Sequence, residues 1–152
     1  MARLDHGVIR DLTNPIDLQK LFDRLQAMEG YLSFKVTEGK VEVTDATTTT
    51  VLTLPLEDNK TSQVVVDAVA RRTGGSAGSA GDGASYRLLG TFYRVSAGAA
   101  TQIGSTTTAH SAEAQAAWAL TLAVSGNDVL VRFAGAANNN VTVAALATLQ
   151  TV

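Results

Sequence analysis

The chain has 152 residues, 45% of them hydrophobic, and a formal net charge of −2. That is enough apolar material for one domain with a true core, and it excludes disorder throughout. No block of Lys or Arg supplies the electrostatic footprint of a nucleic-acid binder. Zero cysteines exclude disulfides, thiolate metal sites and Cys nucleophiles together, and no window nears the ~20 apolar residues of a membrane helix.

Aromatics are 5% and charged residues 17%, both low. Thr, Ser, Ala, Gly and Asn make up the difference. Small uncharged surfaces of this kind suit packed assemblies and extracellular particles better than cytosolic enzymes. The N-terminal Met-Ala-Arg-Leu-Asp-His-Gly has no apolar core of signal-peptide length. The chain is therefore expected to be made and kept in the cytoplasm, leaving it only as part of something larger.

Residues 1–13 read as an extended arm, in which Val8, Ile9 and Leu12 either dock on a neighbour or belong to a loosely tethered terminus. Residues 14–30 read as a helix. Asn14 is a good N-cap, Pro15 takes the first helical position, Asp17 lies in the first turn and Gly30 suits the end. Leu18, Leu21, Phe22, Leu25 and Met28 form one apolar face. About two heptads are too few for a free-standing coiled coil, so the face is expected to pack on protein, either this chain's own sheet or a neighbouring subunit.

From Tyr31 the chain reads as strand, giving a division into an anchor over 1–30 and a β domain over 31–152. Leu32, Phe34 and Val36 alternate with polar residues. Glu38-Gly39-Lys40 reads as a hairpin turn, after which Val41 and Val43 resume. Leu52, Leu54 and Leu56 share a face, and Pro55 places their strand at an edge or at its end. Gln63–Thr73 and Ala84–Val95 read as two long neighbouring strands joined by a Gly/Ser/Ala tip, Gly74–Gly83, expected to be mobile.

Thr101–Ile103 reads as a short strand followed by a Thr/Ser/Ala loop. Ser111–Leu122 is Ala-rich enough to be called helical, but Trp118, Leu120, Leu122 and Val124 alternate as an inward strand face. Ser125-Gly126-Asn127-Asp128 signals a hairpin, answered by Val129, Val131 and Phe133. Val141, Val143 and Ala145 lie on one face of a last strand. Eight or nine short strands predict a mainly β protein: an antiparallel β-sandwich or jelly-roll-like domain behind one short amphipathic helix.

Candidate chemistry is sparse. Gly74-Gly75-Ser76-Ala77-Gly78 matches a nucleophile elbow in letters, but the following Ser-Ala-Gly-Asp-Gly cannot form the helix that motif needs. His6 and His110 lack partners at metal-ligand spacing. Glu57, Asp58 and Asn59 are oxygen donors in one turn without the order of a calcium loop. No catalytic residue, cofactor or metal is expected, and the chain reads as not an enzyme. Arg71, Arg72, Arg87 and Arg94 can cluster on paired strands, either as an intersubunit contact through bidentate pairing or as a solvated face whose ion pairs contribute little. Trp118 reads as core.

One resemblance rests on the order of features from Val41 onward. The Thr-rich Asp45–Thr50 leads into Val51–Leu56 and the acidic turn Leu56-Glu57-Asp58-Asn59. Then come Val65-Val66-Asp67-Ala68-Val69-Ala70-Arg71-Arg72-Thr73-Gly74 and Ala84-Ser85-Tyr86-Arg87. Ala117-Trp118, Val124–Val129, Val131-Arg132 and Phe133–Ala136 close it. This order resembles a β-sandwich module of tailed-bacteriophage virion proteins, over about two-thirds of the chain. Such modules carry a Trp after the Gly-Ala turn; here Asn138–Val143 stands in its place.

The resemblance implies a virion structural protein, assembled in the host cytoplasm and often trimeric. It decorates the capsid or forms a small fibre or tail-associated component. Its partners would be itself and other capsid or tail proteins, with no nucleic acid and no membrane. Leu18, Leu21, Phe22, Leu25, Met28, Arg71, Arg72 and Arg87 are the candidate anchoring and oligomer-interface residues. A receptor- or glycan-binding module displayed on the particle, reaching a host surface glycan, is the alternative.

Overall fold

The computed structural model describes Lys20 and residues 34–152. Lys20 is helical and exposed; the rest of the helix expected over residues 14–30, with its face of Leu18, Leu21, Phe22, Leu25 and Met28, lies outside the described residues. Eight strands follow: β1 (Phe34–Val43), β2 (Thr48–Pro55), β3 (Lys60–Gly74), β4 (Gly83–Arg94), β5 (Thr101–Glu113), β6 (Ala119–Ser125), β7 (Asp128–Ala134) and β8 (Asn140–Thr151). Every ladder is antiparallel. A five-stranded sheet runs β1-β8-β3-β4-β5 and a three-stranded sheet runs β2-β7-β6.

Period-2 alternation decides which side chains meet between the sheets. Val64 and Val66 of β3, Leu88 and Phe92 of β4, and Val141, Val143 and Ala147 of β8 point inward from the larger sheet. Leu52 and Leu54 of β2, with Val129, Val131 and Phe133 of β7, answer from the smaller one. Trp118 is 1% exposed and tilts on Phe133 at 6.1 Å between ring centroids, while Tyr86 meets Phe133 edge-on at 6.3 Å. Burying each such side chain stabilises by roughly 1.5–3 kcal/mol, so this layer supplies the main driving force. Pro55 ends β2, a strand at the edge of its sheet where a missing N–H disturbs no ladder. Residues 111–122 contain no helix: β5 ends at Glu113 and β6 begins at Ala119.

Two readings of the sequence are corrected. Glu38-Gly39-Lys40 is not a turn; β1 runs straight through it, paired with β8 from Phe34↔Gln150 to Val43↔Val141. The apolar phase changes from even positions (Phe34, Val36) to odd ones (Val41, Val43), which imitates two strands joined by a turn. In the fold the strand keeps its phase, so Phe34 and Val36 face outward, 57% and 51% exposed. Gly39 is there for packing. A Cβ at this position would lie 2.6 Å from both the Val51 carbonyl oxygen and Leu52 Cδ2.

The second correction concerns Thr101–Glu113, a 13-residue strand rather than a short strand and a loop. Its sequence does not alternate because neither of its faces is in the core. In addition, Val124, expected inward, is 39% exposed at the rim.

Gly39→Ala should therefore lower stability by about 1–3 kcal/mol, the usual cost of overpacking, because backbone blocks one side of the added methyl. A urea midpoint unchanged from wild type would show that β1 and β2 part without cost.

Candidate functional site

The outward side of the five-stranded sheet is the broader of two sheet faces that no further layer of described residues covers. Register assigns its side chains in rows across the strands. One row reads Glu38, Leu146, Asp67, Arg87, His110, and the next Lys40, Ala144, Val69, Ser85, Ala112. The second row is mostly short side chains beside long ones, so the face carries a trough. A groove of about 1020 Å³ follows it, lined by Glu38, Lys40, Asp67, Val69, Ser85, Arg87, His110, Ala144 and Leu146 among others. Within it Asp67 and Arg87 approach to 3.6 Å with both side chains about half exposed, a pair worth little to stability. Ser85 Oγ and His110 Nε2 share a hydrogen bond of 2.9 Å.

A Ser–His contact has the spacing of a nucleophile and its base, but the chemistry also needs a group orienting the imidazole and an oxyanion pocket. Among the described residues no carboxylate bonds the His110 ring, and Ser85 is a paired position of both the β3–β4 and β4–β5 ladders. Ser76 sits in the β3–β4 connection, with no helix behind it. No group of three or more His, Cys, Asp or Glu among the described residues is arranged to hold a metal.

The candidate arginines separate. Arg71 and Arg87 both lie on the outward face, Arg71 beside Thr142 and Arg87 beside Asp67. Arg72 points the other way and organises the β3–β4 connection. Its Nε donates to the Ala77 carbonyl at 2.7 Å and to Asn139 Oδ1 at 3.1 Å, and its Nη2 donates to the Gly75 carbonyl at 2.6 Å. Asn139 is 2% exposed. Asp82 completes the loop, accepting the Ser79 amide and the Gln115 side-chain amide at 2.7 Å each. These two hydrogen bonds, with Arg72 nearby, hold the Asp82 carboxyl below its ordinary value against a smaller opposing effect of desolvation. The Gly/Ser/Ala tip expected to be mobile is thus folded around one guanidinium.

Arg94 does the equivalent at the other end of the same ladder. It donates to the Gly98 and Leu56 carbonyls at 2.9 and 3.2 Å and lies 3.8 Å from Asp58. The Asn127 amide accepts from Arg94 and donates to Gly98, at 3.2 Å each. The Asp58 carboxylate takes the Ala97 amide, and Asn59 Oδ1 takes the Ser96 amide. These bonds hold a turn in which Ala97 has φ +58°, a conformation uncommon for a residue with a Cβ. The acidic turn considered for an ion is therefore occupied by the chain's own donors.

Sequence reasoning missed Ser85–His110, the Asp67–Arg87 pair and Asn139. The partners are 25, 20 and (for Arg72–Asn139) 67 residues apart, so only strand pairing joins them. The Asn138-Asn139-Asn140 run was the one visible signal.

No family model matches the sequence, and no curated protein does. Among solved structures, the Acinetobacter baumannii phage AM24 tailspike protein matches with TM-score 0.44 and 12% identity, over 76% of this chain and 26% of that one. Tailspike protein gp49 of Acinetobacter baumannii bacteriophage Fri1, a capsular polysaccharide depolymerase, matches with TM-score 0.36 and 12% identity, over 78% and 19%. The Acinetobacter phage vB_ApiP_P1 tailspike protein matches with TM-score 0.32 and 16% identity, over 100% and 25%. This chain spans about a quarter or less of each of those proteins. TM-scores of this size do not establish a shared fold.

Two predictions follow from the buried and half-buried polar groups. Arg72→Ala should cost about 2–3 kcal/mol, since it orphans Asn139 and two carbonyls that a charged donor satisfied; limited proteolysis should then cut within 74–83, and resistance equal to wild type would refute the clamp. Burial first, and the Glu113 carboxylate second, push the Tyr86 phenol up to about 12 from 10.0. The folded state then holds this proton more tightly than the unfolded chain. Its stabilising contribution is complete below pH 10 and is lost as pH rises toward 12. Thermal midpoints of wild type should fall over that window more steeply than those of Tyr86→Phe, and parallel curves would contradict it.

Proposed function

We propose that this chain is a structural component of a tailed-bacteriophage virion, oligomeric, carried on the capsid or the tail. The observation that carries the reading is the ordered set of features from Val41 to Ala136, which resembles a virion β-sandwich module. The residues that make up that set are those that build β2, β3, β4, β6 and β7. A role in assembly also suits a surface on which, among the described residues, the large sheet leaves one whole face uncovered and in which polar side chains are mostly Thr, Ser, Gln and Asn.

In this reading residues 1–30 anchor the chain to the particle through Leu18, Leu21, Phe22, Leu25 and Met28, and residues 31–152 are displayed. The structural role needs no catalytic group: the Ser85–His110 contact serves as cross-strand pairing.

The reading is tested in purified virions. Mass spectrometry should find the chain in them, and cross-linking should name its neighbour as a capsid or a tail protein. Leu21→Asp with Leu25→Asp should remove it from particles while far-UV circular dichroism keeps its β signature. Absence of the wild-type chain from purified particles would overturn the proposal.

A further inference from the structure

Of the eight most exposed large hydrophobics among the described residues, five lie on the outward face of the five-stranded sheet: Phe34, Val36, Val69, Ile103 and Leu146. Singly exposed apolar residues are ordinary; a cluster on one face is not. Val65 and Leu89, half-buried and directly paired, join them across the centre. We propose that this face is where a second copy of the chain docks, so that two copies bury their outward sheets against each other. The inference deepens the oligomeric reading above and rests on it.

Three properties favour a copy of the same chain over an unrelated partner. The face carries no net charge: Glu38, Glu42 and Asp67 balance Lys40, Arg71 and Arg87. The pair nearest the middle, Asp67–Arg87, is already neutralised within one chain. Two such faces meet without the like-charge penalty that bars most surfaces from self-association.

The uncharged polar residues on the face are largely Thr and Gln, each both donor and acceptor, so a face built of them can satisfy a copy of itself. A self-complementary patch is what an interface between identical copies demands. The size also fits. Five strands at ~4.8 Å spacing, over nine residues at ~3.3 Å, give roughly 24 by 30 Å, on the order of 700 Å². Stable interfaces bury roughly 600–1,000 Å² of each partner.

The surface also lacks the features of a dedicated ligand site. Its groups are not buried and aimed at a common point, and its trough is open along its length.

The test is the solution mass of the whole chain by light scattering across a range of concentrations. Wild type should give a multiple of 15.8 kDa. Leu146→Lys with Val69→Lys should give the mass of one chain, with circular dichroism unchanged, while Val95→Lys, exposed in the β4–β5 connection, should behave as wild type. Carbene footprinting of Leu146 and Val69 in the unmutated protein provides a readout independent of any variant's folding: labelling should fall as concentration rises. A wild-type multimer whose labelling at both residues is constant, or which the double variant leaves intact, overturns this face while the oligomeric reading stands. A wild type that remains at 15.8 kDa at every concentration overturns both, and virion incorporation is then judged separately by the particle experiment.

Discussion

The last strand holds the large sheet together. β8 is inserted between β1 and β3 and pairs along nearly its whole length on both sides, so Val143 lies opposite Val41 on one side and Ala70 on the other. Without it β1 has no ladder and β3 keeps only β4. Closing these pairings brings together residues 66 to 116 positions apart, and loop-closure entropy must be offset before any of that burial is gained. The β3–β4 and β6–β7 hairpins are local and can form first. The complete sandwich waits for the C-terminal residues, and its cooperativity follows from that dependence.

Five strands against three leave an imbalance that shapes everything outside the core. The smaller sheet packs on β1, β8, β3 and β4, where Val43, the other buried valines and Phe92 lie, and leaves most of β5 outside. β5 is accordingly polar, exposed along most of its length, and kinked by register shifts opposite Arg87–Leu88 and Leu89–Thr91. Bulges of this kind twist an edge and make it a poorer template for further strands. Among the described residues the same imbalance leaves the outward face of the large sheet uncovered, together with a group of exposed apolar side chains. The proposed docking face starts from this asymmetry.

Charge does its main work at the two ends. Arg72 and Arg94 close opposite ends of the β3–β4 ladder, each by gathering carbonyls and one Asn from distant segments. A guanidinium suits this because its planar fork satisfies several acceptors from one position. The charged residues of the outward face are instead about half exposed, and their pairing contributes little. The four arginines that the sequence groups together thus divide into internal fasteners, Arg72 and Arg94, and surface groups, Arg71 and Arg87.

The mainly β, antiparallel character of residues 34–152 and most of the core were legible in the order of residues alone. Val51–Leu56, Val129–Phe133 and Val141–Ala145 alternate with period two, and burial of one sheet face forces that period on the residues, so it is legible without coordinates. The Ser125–Asp128 hairpin and the edge position of Pro55 were legible for the same local reasons. Only the tertiary structure decided that β1 passes through Gly39, because the neighbour that excludes a Cβ there comes from β2. It alone decided that β5 is a long strand, since a strand with no buried face carries no alternation. Strand order, the split between Arg71 and Arg72, and the meeting of Ser85 with His110 all depend on which strands pair. That choice is made by the summed burial of the whole sheet and is written in no single segment.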